Sequence, residues 1–170
     1  MFQKEMFSDG SYKKAKYIAN GCFGTVHTLD DNPDWVVKYA SCDGTLNYLE
    51  WCVAMQKAGR GMKGMPEIDV LVRLDENRYM VTMRRYSDAR SVFSDYNSVL
   101  AWTEENGHEY INELADAFVA YGLEVLGSRW GMVDDLHRAN IMLADDGSLV
   151  VTDPSASSYM EAPVHSFLLN

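Results

Sequence analysis

Three oxygen-bearing side chains lie close together late in the sequence: Asp135, Asn140 and Asp153. Between the last two, the apolar runs IML and LVV flank Asp-Asp-Gly, a pattern that predicts a β-hairpin. Because a hairpin returns the chain to its starting point, the three side chains are expected to converge. Magnesium binds through one or two carboxylates together with substrate phosphates. A further carboxylate can orient or deprotonate a hydroxyl nucleophile. Taken without the other motifs, aspartates this frequent in a loop are more often solvated turn residues.

Two features nearer the N-terminus could bind an anion. The segment IANGCFGTV places Gly21 and Gly24 at a predicted strand-to-strand turn, where the lack of a Cβ lets backbone amides approach a phosphate. The same G-x-x-G pattern is common in ordinary hairpins. Lys38 lies in the apolar strand WVVKY. It either extends to solvent or is held by an anion, because burying an unpaired ammonium is unfavourable.

The elements that must position these residues are strands in the first half of the chain and helices in the second. Five strands are predicted, at KYIAN, GTVHTL, DWVVKYA, residues 68–74 and residues 78–83. Helices are predicted over residues 45–57, 94–106 and 109–126. Glu50, on the first helix, is either a site residue or an ordinary solvated glutamate.

Composition favours a globular protein and disfavours several partners. The chain has 170 residues, 47% of them hydrophobic, which is enough for one core and argues against disorder. A net charge of −10 repels nucleic-acid phosphates and anionic membranes. Cys22, Cys42 and Cys52 have neither disulfide-framework nor zinc spacing, so they are expected to be packing residues. With no long apolar run, we expect a soluble cytoplasmic protein.

The order of the motifs resembles the protein-kinase-like superfamily. In kinases a Gly-rich loop covers the nucleotide, a strand lysine holds its phosphates, a catalytic loop carries D-x-x-x-x-N, and a later aspartate binds magnesium. This chain has A-x-G-x-x-G-x-V at residues 19–26, VVK at 36–38, DLHRAN at 135–140 and DPS at 153–155.

The resemblance implies an α+β, minimal two-lobed kinase-like fold in a single domain over residues 1–170. A small five-stranded antiparallel N-lobe with one helix would occupy about residues 1–86, and a reduced helical C-lobe about residues 87–170.

A closer resemblance is to the early serine/threonine kinases of T7-like bacteriophages. It rests on NGCFGTVHTLDDNPDWVVKYA, on GMPEIDV after the first helix, and on DLHRANIMLADDGSLVVTDPSA, and it covers roughly residues 17–160. The resemblance implies an enzyme that uses ATP and Mg²⁺ to phosphorylate host proteins early in infection, in the host bacterial cytoplasm.

The resemblance also assigns roles to nucleotide-binding residues. Lys38 would hold the α- and β-phosphates of ATP, and Gly21 and Gly24 would let the loop close over them. Val26 would line the nucleotide site. Glu50 would be the ion-pair partner of Lys38, although it follows the lysine unusually closely.

For the reaction itself, the resemblance implies that Asp135 accepts or orients the substrate hydroxyl, while Asn140 and Asp153 ligate magnesium. Departures from the kinase pattern concern regulation. Val133 and Asp134 replace the usual His-Arg before the catalytic aspartate, and proline follows Asp153 where kinases have phenylalanine. Control by activation-loop phosphorylation is therefore not expected.

Two alternatives stay open. Small-molecule phosphotransferases such as aminoglycoside or choline kinases use the same D-L-H-x-x-N loop, but they need a substrate-binding lobe after the metal-binding aspartate, and only 17 residues follow Asp153. A non-catalytic inhibitor or binder of a host protein would suit the acidic charge. Such a binder would have no need for two magnesium ligands and a third polar group, so the presence of these residues favours the enzyme.

Overall fold

The computed structural model describes residues 4–6, 12–21, 24–75, 78–90, 92–93, 99–126 and 135–155. The chain forms two compact units. Unit 1 is drawn from segments 1–42 and 67–85, and unit 2 from segments 43–66 and 86–170.

Unit 1 is an antiparallel β-sheet. Its strands are β1 Lys4–Met6, β2 Tyr12–Gly21, β3 Gly24–Leu29, β4 Asn32–Ala40, β5 Ile68–Arg73 and β6 Tyr79–Arg84. They pair in the order β1-β2-β3-β4-β6-β5. The prediction of a five-stranded antiparallel sheet is confirmed by β2 to β6, and β1 adds a sixth strand. Because β1 has only three residues, KEM, it carries no alternation from which a strand could have been predicted.

One hydrophobic cluster of unit 1 lies on a single face of this sheet. Leu29, Val37 and Met80 are buried there, and partly buried apolar side chains surround them: Trp35, Tyr39 and Val70. Val37 is completely buried. Burying one such side chain contributes about 1.5–3 kcal/mol, so this cluster holds the central strands β4 and β6 together.

Unit 2 contains the helices and a small sheet. Its elements are α1 Asp43–Lys57, β7 Ser87–Asp88, α2 Val99–Glu105, α3 Tyr110–Tyr121, a π-helical turn at Gly122–Leu126, a 3₁₀ turn at Arg138–Asn140, β8 Ile141–Leu143 and β9 Leu149–Val151. The predicted α+β class is confirmed. No helix in the described ranges is both long and apolar enough to cross a membrane.

The predicted helices differ from the observed ones at their ends. α1 begins two residues before the predicted start. The second helix, predicted over 94–106, is described only from Val99 to Glu105, since residues 94–98 lie outside the described residues. The third, predicted over 109–126, is α-helical to Tyr121 and then widens into the π-helical turn. The π-helical turn has only five residues, too few to show a period of its own, so apolar spacing could not have predicted this change.

Aromatic side chains join α1 to α3 in the core of unit 2. Tyr48 and Trp51 of α1 contact Phe118 of α3, with ring centroids 5.1 and 5.3 Å apart. Tyr48 and Phe118 are almost completely buried. α1 ends in a Schellman motif, in which Gly59 has φ +66° and Arg60 N donates to Met55 O at 2.8 Å. The helix therefore has a fixed end as well as a packed face.

The predicted hairpin between Asn140 and Asp153 is confirmed as β8 and β9, with Ile141 paired to Val151. Its turn contains Gly147, at φ +82°. The Asp146 carboxylate accepts bonds from Ser148 Oγ at 2.6 Å and Ser148 N at 2.9 Å, and these bonds lower the pKa of that carboxyl. The turn returns the chain toward its starting point.

Candidate functional site

Asp135 and Asn140 are bonded to each other in the loop before β8. Asn140 Nδ2 donates to the main-chain oxygen of Asp135 at 2.8 Å and to its carboxylate Oδ2 at 3.0 Å. With two acceptors facing it, this nitrogen must be the amide end that carries the hydrogens. The amide oxygen of Asn140 is consequently not used in bonding Asp135.

Backbone bonds bring the chain around Asp153 to the same loop. Asp135 N donates to Pro154 O at 3.1 Å. Thr152 donates twice to Asn140 O, from its main-chain nitrogen at 2.9 Å and from Oγ1 at 3.2 Å. The residues on both sides of Asp153 are thus tied to Asp135 and Asn140. The hairpin and these three hydrogen bonds bring the main chain at residue 153 to this loop, and convergence of the three side chains stays a prediction.

His137 borders the carboxylate of Asp135. Its Nδ1 accepts a bond from Ala139 N at 3.2 Å, and its Nε2 lies 3.3 Å from Asp135 Oδ1. The same Nε2 lies 3.3 Å from Asn140 Nδ2, so the ring borders both members of the bonded pair. About half of the His137 side chain is exposed, compared with 32% of Asp135, so both are accessible to a substrate.

The first turn of α1 supplies a partner for Asp153 from far away in the sequence. Thr45 Oγ1 donates a hydrogen bond to Asp153 Oδ1. Thr45 is completely buried. Nothing in the sequence around Thr45 distinguishes it from any residue near a helix start, so sequence analysis did not identify it.

Lys38 lies in a row of side chains across one face of unit 1. Val26 pairs with Lys38 across β3 and β4, Lys38 pairs with Val81 across β4 and β6, and Ala19 pairs with Val26 from β2. Directly paired residues of antiparallel strands project to the same face. The half-buried Lys38 therefore stands between two valines. Val81 is completely buried, so Lys38 lies beside the apolar interior of the protein.

The two glycines of the N-terminal loop differ in what requires them. A Cβ on Gly24 would lie 2.2 Å from Tyr39 O and 2.8 Å from the Cβ of Ala40, so strand packing alone explains this glycine. Among the described residues, no heavy atom lies within 4 Å of the would-be Cβ of Gly21. Packing against the described residues therefore does not require glycine at position 21, and its role in phosphate binding stays a prediction. The tip between them, Cys22 and Phe23, lies outside the described residues.

Glu50 lies on α1 in unit 2, whereas Lys38 lies on β4 in unit 1. The side chain of Glu50 is partly buried. Burial, and then the charge of Glu50, raise the pKa of Tyr121 on α3. The neighbour identified for Glu50 is thus Tyr121, within unit 2, and its pairing with Lys38 stays a prediction.

The donor set around Asn140 and Asp153 fits magnesium. An amide oxygen and a carboxylate are the hard oxygen ligands that this ion prefers. Across the part of the chain that the structure describes, no three His, Cys, Asp or Glu side chains form a group that could hold a metal alone. Magnesium usually keeps several waters and binds one or two carboxylates plus phosphates, so two protein ligands are sufficient.

Several other predictions fall outside the described residues. Val133 and Asp134, which replace the kinase His-Arg pair, belong to this group, as does Cys22. Cys42 and Cys52 are buried thiols, in agreement with a packing role. Burial raises the pKa of the Cys52 thiol well above its ordinary value.

No protein-family model matches the chain, and no curated protein matches it. The kinase-like resemblance of the motifs therefore stays a hypothesis. Its chemistry has to be inferred from the geometry of Asp135, Asn140 and Asp153.

Proposed function

We propose that the chain is an ATP- and Mg²⁺-dependent serine/threonine protein kinase of the kind found in T7-like phages, with host proteins as substrates. One observation carries the proposal. The amide of Asn140 is bonded to Asp135 through both the main chain and the carboxylate, at 2.8 and 3.0 Å, directly beside the segment that bears Asp153. This arrangement supports a role for the Asp135 carboxylate in orienting a hydroxyl nucleophile. It also supports Asn140 and Asp153 as two oxygen ligands for a metal ion.

The acidic loop supplies the catalytic groups of the proposed reaction. Asp135 orients the substrate hydroxyl and accepts its proton. Asn140 and Asp153 would hold Mg²⁺ through their side-chain oxygens. Bound Mg²⁺–ATP supplies the phosphoryl group and neutralises its charge.

The sheet of unit 1 supplies the nucleotide-binding groups. Lys38 would hold the phosphates, and Val26 and Gly21 would contact the nucleotide. Because phosphoryl transfer depends mainly on positioning and on charge neutralisation, these groups suffice for the reaction. The proposed architecture is two-lobed and kinase-like, with unit 1 as the N-lobe. A lysine between two valines on one face of an antiparallel sheet supports this assignment.

The proposal is tested by transfer of labelled γ-phosphate from ATP to proteins of a bacterial lysate and to the chain itself. Asp135→Asn should reduce transfer by about 100-fold or more, the range for removal of a catalytic base. Lys38→Met should reduce it through weaker ATP binding. Asp145→Asn, in the exposed hairpin turn, and Lys57→Met, at the end of α1, are matched controls and should retain full activity.

A binding measurement separates an enzyme from an inactive scaffold. ATP with Mg²⁺ at 100 times its dissociation constant should stabilise the folded chain by about 2.7 kcal/mol. Equal transfer by wild type, Asp135→Asn and Lys38→Met would refute the enzyme proposal. Absence of both transfer and stabilisation would favour the alternative of a non-catalytic binder of a host protein.

A further inference from the structure

The hydroxyl of Thr45 is a buried donor directed at a carboxylate 108 positions away. It donates from the first turn of α1 to Asp153 Oδ1. Thr45 is 0% exposed. A buried hydroxyl requires a hydrogen-bond partner, and bonds to ionised acceptors are the stronger kind. α1 therefore holds the carboxylate of Asp153 directly.

The packing around this bond leaves little room for movement. A Cβ on Gly44 would lie 2.6 Å from both the main-chain oxygen and Oγ of Ser155. Tyr48, one turn along α1, donates to Val151 O at 3.0 Å. The segment on both sides of Asp153 is thus seated against the first two turns of α1. In this setting the Thr45 bond restricts rotation of the carboxylate.

We propose that Thr45 is a positioning residue that sets the orientation in which Asp153 ligates Mg²⁺. This inference rests on the proposed function. Metal ligands are held by outer partners that fix their orientation, and loss of such a partner typically weakens metal affinity by about 10–100-fold. The bond from Thr45 has this form, since it fixes one carboxylate oxygen and thereby the direction of the whole group.

If Thr45 has only a structural role, its replacement should leave Mg²⁺-dependent nucleotide binding unchanged. A second buried threonine provides a matched control. Thr103 is also completely buried in unit 2, and its Oγ1 donates to Asn112 Oδ1 at 2.9 Å. Thr45→Val and Thr103→Val each remove one buried hydroxyl and keep the β-branched shape. Thr45→Ser restores the hydroxyl at the first position.

The experiment is calorimetric titration of the full chain with a non-hydrolysable ATP analogue over a series of Mg²⁺ concentrations. Thr45→Val should raise the Mg²⁺ concentration that gives half-maximal binding by about tenfold. Thr45→Ser and Thr103→Val should leave it within about twofold, since neither removes the donor to Asp153. Should Thr45→Val fail to fold, Thr45→Ala makes the same comparison.

Each other outcome has a definite meaning. Mg²⁺-dependent binding that is unchanged in Thr45→Val overturns the role of Thr45 and leaves the proposed kinase intact. Absence of Mg²⁺-dependent nucleotide binding by the wild type overturns both. If Thr45→Val and Thr45→Ala both fail to fold while Thr45→Ser folds normally, the hydroxyl is structural and the inference fails.

Discussion

Replacing Gly44 with alanine sets two opposing effects against each other. Gly44 is the second residue of α1, where alanine is the better helix former by about 1 kcal/mol. Its would-be Cβ, however, lies 2.6 Å from Ser155 O and Oγ and 3.0 Å from the Ser155 carbonyl carbon. Helix propensity alone predicts a stabilised variant, and packing predicts a destabilised one.

The steric effect should be the larger. Real Cβ contacts are essentially never shorter than 3.0 Å, so the helix and the main chain of Ser155 would have to separate by at least 0.4 Å. Overpacking of this kind costs about 1–3 kcal/mol, and contact with main-chain atoms favours the upper part of the range. After the gain in helix propensity, we expect a net loss of about 2 kcal/mol. For a chain of this length, that lowers Tm by about 4–8 °C.

Urea unfolding followed by tryptophan fluorescence measures this difference. Gly61→Ala is the control, because the one described atom that its Cβ would approach is Gln56 Cγ, at an ordinary 3.8 Å. That variant should be unchanged or more stable by up to about 1 kcal/mol, since alanine restricts the unfolded chain. If Gly44→Ala is as stable as the wild type or more stable, α1 does not pack against Ser155 as described.

Three further predictions concern other parts of the molecule. Gly24→Ala should lower the free energy of unfolding by about 1–3 kcal/mol. Gly21→Ala should change that free energy by less than about 0.5 kcal/mol and should weaken ATP binding in a thermal-shift assay. Equal behaviour of the two variants would contradict the different surroundings of the two glycines. Asn140→Asp removes the donor to Asp135 and places a second carboxylate beside it. Urea unfolding at pH 7 should therefore show a free energy of unfolding lower by about 1–3 kcal/mol. A variant as stable as the wild type would refute the hydrogen bonds between Asn140 and Asp135. Burial raises the pKa of Cys52, so its thiol should resist iodoacetamide in the folded chain and react in urea, as mass spectrometry would show. Above about pH 8.5 the unfolded chain releases this thiol proton, whereas the folded chain retains it. The free energy of unfolding should therefore fall as pH rises beyond that point, by up to about 1.4 kcal/mol per pH unit. Cys52→Ala should make the free energy of unfolding less dependent on pH, and an unchanged dependence would contradict the burial of this thiol.

Local sequence signals were sufficient for most of the sheet and for part of the site. The strands of unit 1 are bounded by glycine, proline and Asp/Asn turns, and β2 to β6 were predicted from them. Asp-Asp-Gly between two apolar runs predicted the β8–β9 hairpin. The hairpin in turn explains why Asn140 and the chain at Asp153 meet, because short-range pairing needs no information from elsewhere in the sequence.

Contacts between distant segments could not be predicted in this way. The bond from Thr45 to Asp153 spans 108 positions, and neither residue carries a local mark of the other. Gly24 is a similar case. It was assigned to phosphate binding from its spacing, yet its close approach to Tyr39 O accounts for it without a ligand. Such requirements arise only when two strands or a helix and a loop pack together.

The β8–β9 hairpin does not require a fixed number of residues in the turn between its two strands. Paired strands, with Ile141 opposite Val151 and Leu143 opposite Leu149, set the separation of the polar residues at their base. The number of residues in the turn does not set that separation. The exposed turn at 145–147 can therefore accept extra residues while the base of the hairpin stays in register. Homologues can differ in length here, and a reporter peptide inserted in the turn would be tolerated.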